Sequence, residues 1–107
     1  MDQETQEKIK ELQIYEQNFQ ILLMQKQTLQ VELTEVKNAL SEIKNTKEDI
    51  FKVIGQIMIK TNKEKTEKEL QQKQEMLLLR LKSIEKQETG ITKELEILRK
   101  DIMKKIR

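Results

Sequence analysis

The stretch FKVIGQIMIK, Phe51–Lys60, is where the chain changes its period. Phe51, Val53, Ile57 and Ile59 alternate with Lys52, Ile54, Met58 and Lys60 around Gly55, and a period of two belongs to strands rather than helices. Gly55 supplies the positive φ of a tight turn, and Gly55-Gln56 fits the Gly-X pattern of a type II′ hairpin. A two-residue loop would set Phe51 and Val53 beside Met58 and Lys60, whereas a three-residue loop would set them beside Ile57 and Ile59. The three-residue loop is the expected one, because it gathers the more apolar residues on one face.

On either side of this stretch the period is 3.5. Upstream, alternating steps of three and four pick out Leu12, Tyr15, Phe19, Leu22, Lys26, Leu29, Leu33, Val36, Leu40 and Ile43. Downstream they pick out Leu70, Gln74, Leu77, Leu81, Ile84, Glu88, Ile91, Leu95, Leu98 and Ile102. Each set is a coiled-coil seam more than four heptads long, on a helix of roughly 50 to 60 Å. A hairpin this short cannot let the two helices run parallel, so they fold back antiparallel. The expected class is therefore mainly α: a long antiparallel coiled-coil hairpin, with a first helix at about 5–47, a β-hairpin at about 50–61 and a second helix at about 63–106. Thr61-Asn62-Lys63-Glu64 reads as the capping box that starts the second helix, with Thr66 to Glu69 as a second start signal.

The polar exceptions in the seams are informative. Matching Ile43 to Leu70 at the hairpin end brings Lys26 within one layer of Glu88. An ion pair at equal depth would penalise slipped registers, although Lys26 could instead extend its stem to water.

Composition agrees with long helices. The 107 residues are 37% charged, 36% hydrophobic and 3% aromatic, with no Pro and glycines only at 55 and 90, too little apolar matter for a large compact core. A net charge of +2 from 21 basic and 19 acidic residues is spread along the chain, unlike the one-sided basic patch of a nucleic-acid reader. The apolar runs are far too short to cross a membrane, and MDQETQEKIKE is no signal peptide. Without His or Cys, the usual nucleophile, proton-shuttle and zinc arrangements are missing, and neither glycine belongs to a phosphate loop. No enzyme, metal or cofactor is expected, and a cysteine-free chain suits the cytoplasm.

An isolated two-stranded hairpin is marginal in water and leaves two strand edges open. Phe51, Val53, Gly55, Ile57 and Ile59 are therefore the expected assembly hairpin, pairing with hairpins of other subunits in a shared β platform or closed barrel; the bland alternative folds it over its own coil. At the other end Ile9, Ile14, Ile97, Met103 and Ile106 lie outside or beyond the seam, beside Leu12, Tyr15, Phe19, Leu98 and Ile102. A fraying coil would leave these partly exposed and suited to capturing apolar segments, whereas a tight tip would pack them to its end. The basic end LRKDIMKKIR is read as complementing a helix C-terminus.

The strings QKQTLQVEL at Gln25–Leu33, FKVIGQIMIKTNKEKTEKEL at Phe51–Leu70 and LLLRLKSIEKQE at Leu77–Glu88 closely resemble the β subunit of archaeal prefoldin, the GimC cochaperone family. The resemblance covers nearly the whole chain. It implies an archaeal, cytoplasmic subunit of a hexamer of two α and four β subunits, with six coiled-coil tentacles hanging from a double β-barrel. It further implies an ATP-independent holdase whose tips hold unfolded proteins and pass them to a group II chaperonin. The alternative is a structural or adaptor coiled coil with one defined partner.

Overall fold

The structure, a computed structural model, describes residues 2–106. Its elements run α1 (Gln3–Asn45), β1 (Ile50–Ile54), β2 (Ile57–Thr61) and α2 (Lys63–Ile106). Every position named in the two seams is buried or half-buried, so the three-four spacing is the contact surface between the helices.

The chain divides into two compact units. One, here the turn unit, is Leu29–Arg80; the other, the tip unit, pairs residues 1–28 with 81–107. In the turn unit the core is Leu29, Leu33, Val36 and Leu40 from α1 with Leu77 from α2. In the tip unit it is Leu22, Ile84, Leu95, Leu98 and Ile102, with Thr5 2% exposed.

Each helix end is satisfied locally. Asp2 caps α1, its Oδ1 accepting from the Thr5 N–H at 2.8 Å. The last turn of α1 closes with the Thr46 N–H donating to the Glu42 carbonyl at 3.0 Å. The carbonyl of Thr46 then accepts from Lys63 Nζ at 3.0 Å, a cation on the negative end of a helix. At the start of α2 the cap is Asn62, whose Oδ1 accepts from the Lys65 N–H at 3.1 Å. The capping box expected from Thr61 does not form, because Thr61 is the last residue of β2 and pairs with Ile50.

The three-residue loop does not form either. Ile54 pairs directly with Ile57, so the loop is Gly55-Gln56, and Phe51 lies opposite Lys60 and Val53 opposite Met58. Gly55 has φ +60°, while no non-glycine residue described has a positive φ. Only the first loop residue is therefore left-handed, as in a type II′ turn, whose twist matches that of the strands.

Gly90 sits exposed within α2, where a Cβ would meet nothing within 4 Å. Gly90→Ala is expected to stabilise the chain by about 1 kcal/mol, read as a rise in the midpoint of thermal unfolding.

Candidate functional site

Two regions carry the candidate residues. The first is the hairpin. Residues directly opposite each other on an antiparallel pair share a face, so Phe51, Val53, Met58 and Lys60 form one face and Ile50, Lys52, Ile54, Ile57, Ile59 and Thr61 the other. The expected grouping of Phe51 and Val53 with Ile57 and Ile59 is thus split between the two faces, and each face is apolar with one lysine. All of Phe51, Val53, Ile54, Ile57, Met58 and Ile59 are exposed, from 48% at Ile59 to 66% at Met58. Met58 and Ile54, which a single apolar face would leave out, are as open as the others. The two strands form a sheet of two, so each keeps one edge without a strand beside it. Lys60 pairs with Asp49 at 3.3 Å and Lys52 with Glu69 at 4.0 Å, exposed contacts that add little to the stability of the hairpin.

The second region is the tip unit. Its two helices are tied by a series of polar contacts: Lys105 Nζ donates to Glu4 Oε2 at 2.7 Å, Lys8 lies 3.5 Å from Asp101, Arg99 lies 3.5 Å from Glu16, and Lys26 Nζ donates to Glu88 Oε1 at 3.1 Å. As the α1 partner advances the α2 partner recedes, the signature of antiparallel helices. Hydrogen bonding from Thr5 holds the Asp2 carboxyl below its usual value, and the hydrogen bond from Lys105 does the same for Glu4 while raising Lys105 itself. A fraying tip that bares Leu98 and Ile102 is not what the chain forms, since both are core residues. Ile9, Leu12, Tyr15 and Phe19 are half-buried, whereas Ile14, Ile97, Met103 and Ile106 are exposed. Sequence reading missed this end network because its acids and bases, taken singly, look like an ordinary solvated helix face.

The structure brings Lys26 and Glu88 together inside the seam, both part-buried. A double-mutant cycle with Lys26→Met and Glu88→Met is expected to give a coupling of about 1 kcal/mol. The double variant is expected to be near wild type in stability, because methionines fill the layer without desolvating charge. A coupling of zero in thermal unfolding would mean that the two heads are held by solvent alone.

Among the described residues no group of His, Cys, Asp and Glu could hold a metal ion, and no helix is long and apolar enough to cross a membrane. The described surface does carry exposed apolar side chains, on the hairpin and in the tip unit. The family model described as "Prefoldin subunit" matches residues 6–107. The chain belongs to the prefoldin family. Among its relatives, the prefoldin subunit beta of Thermococcus kodakarensis is 38% identical over 99 residues, covering 91% of this chain and 85% of that protein. The prefoldin subunit beta of Saccharolobus islandicus is 34% identical over 101 residues, covering 92% and 80%. The crystal structure of the prefoldin beta subunit from Thermococcus strain KS-1 superposes with a TM-score of 0.88 at 36% identity, covering 99% of this chain and 95% of that one. Two long helices joined by a two-stranded antiparallel hairpin are thus the prefoldin β architecture. Prefoldin is a family of non-enzymatic chaperones, and membership implies assembly with other prefoldin subunits.

Proposed function

We propose that this chain is one subunit of an ATP-independent holdase, which captures unfolded proteins on its coiled-coil tips and passes them to a group II chaperonin in the cytoplasm. The hairpin pairs with those of other β subunits and of a prefoldin α subunit, in a hexamer of two α and four β chains whose strands close into a barrel platform. The observation that carries this reading is the hairpin: six exposed apolar side chains on two faces, with one free edge per strand. Apolar β surface of this kind is a liability unless other strands cover it. Several tips on one platform would then hold a client by many weak contacts, each reversible, which is how a holdase binds firmly without consuming nucleotide.

The test is light scattering of two unrelated denatured enzymes diluted into buffer without ATP, in the presence of the assembled hexamer. Suppression of both aggregations is expected. Suppression of neither by an assembled hexamer would replace the holdase with an adaptor that binds one defined partner.

A further inference from the structure

The tip unit presents two very different sides to solvent. Between Leu12 and Thr28 the only charged residues are Glu16 and Lys26, in a chain that is 37% charged. Both are occupied across the coil, Glu16 by Arg99 at 3.5 Å and Lys26 by Glu88 at 3.1 Å. On the side of α1 turned away from the seam, Ile14 is 57% exposed, Ile21 52% and Met24 68%. Steps of seven and three keep these three on one stripe. Beside and between them stand Gln13, Gln17, Asn18, Gln20, Gln25 and Gln27, all exposed and all neutral amides. The α2 helix of the same unit instead exposes Lys82, Glu85, Lys86, Lys93, Glu94 and Glu96. A groove of about 810 Å³ borders the stripe, lined by Gln13, Gln17, Gln20 and Phe19 of α1 with Thr92 and Leu95 of α2, and its charged members are Glu96 and the Glu16–Arg99 ion pair; it is large enough to take several side chains.

We propose that the client-holding surface of this chain is this charge-free side of α1, from Ile14 to Met24, and that its occupant is an uncharged apolar segment of a non-native polypeptide. The inference rests on the holdase reading and names the place and the chemistry of capture. A dedicated folded partner is selected by matched charge, and this face offers none to match. An apolar segment without charges docks here with no ion to desolvate. The glutamine and asparagine amides both donate and accept, so they can satisfy the unpaired N–H and C=O groups of an unfolded backbone whatever its sequence. The end of the coil is less suited to such capture, because Met103 and Ile106 are exposed there among Lys104, Lys105 and the ion pairs to Asp2 and Glu4.

The experiment uses the assembled hexamer and two fluorescent 20-residue peptides with the same apolar residues, one spaced by Ser and Gln and the other by Lys and Glu. Anisotropy titrations are run with wild type, with Ile14→Lys/Ile21→Glu/Met24→Lys, and with Met103→Lys/Ile106→Lys. Wild type is expected to bind the uncharged peptide more tightly. The α1 triple variant is expected to bind it about tenfold more weakly, with helicity and assembly unchanged because its sites are exposed helix positions, while the end variant binds within about twofold of wild type. Equal binding by the triple variant and wild type overturns the placement on α1 and leaves the holdase reading standing. Equal affinity of wild type for both peptides overturns the stated chemistry. No binding by wild type, together with no suppression of aggregation, overturns both.

Discussion

Serine at Phe51, Val53 and Met58 is expected to dissolve the assembly, and so is serine at Ile54, Ile57 and Ile59. Each set strips one face of the hairpin and leaves the other intact. If strands from neighbouring subunits close around these residues, each face loses three apolar side chains that the assembly would bury. At about 1 kcal/mol or more per side chain, the loss per subunit is roughly 3 kcal/mol, a factor of more than about 100 in the association constant. Light scattering coupled to gel filtration should show the mass fall toward that of single chains, while circular dichroism at 222 nm stays near wild type because the seams are untouched. A one-face variant that keeps the full assembled mass would mean that this face lies open to water in the oligomer. That outcome would remove it from the platform.

The second large effect lies inside the run Met76-Leu77-Leu78-Leu79. Leu77 is 1% exposed, the most buried large side chain described, whereas Leu79, two residues on, is exposed. Leu77→Ala is expected to cost about 3 kcal/mol, because it removes buried methyl groups and leaves a void that two stiff helices cannot close. Leu79→Ala should change stability by less than about 0.5 kcal/mol. Chemical denaturation of the two variants measures the difference. Similar midpoints for both would mean that the seam is not where the three-four spacing puts it.

That spacing explains why so much of the fold is legible in the sequence. Leu22, Leu33, Leu40, Leu77 and Leu95 fall on positions that only a helical seam would connect, and they are the residues that pack. The hairpin is legible as a hairpin but not in its register. With apolar residues at Phe51, Val53, Ile54, Ile57, Met58 and Ile59, both registers place a hydrophobic set on either face, so hydrophobicity stops discriminating. The deciding signal is the Gly-X turn, whose two-residue loop outweighs any gain from gathering one apolar face. At the tip, Ile14, Met103 and Ile106 are exposed while Leu98 and Ile102 are core. The expected fraying fails to account for the Asp2 cap and for Lys8, Asp101 and Lys105, whose partners across the coil lie far along the chain. Long-range ion pairs leave no local periodicity to read.

The sequence separation of the contacts across the chain grows step by step, from 17 residues for Lys63 with Thr46, the residue just after α1, to 62 for Lys26 with Glu88 and 101 for Lys105 with Glu4. Closing a long loop costs entropy, and closing it beside one already shut costs little more, so folding is expected to begin at the turn and zip toward the termini. During synthesis the order of events is less favourable. All of α1 leaves the ribosome before its partner helix exists, with Leu22, Leu29, Leu33, Val36 and Leu40 uncovered. Until α2 arrives, the nascent chain of this chaperone subunit displays the same kind of surface that chaperones recognise, and a chain that stops early would itself need one.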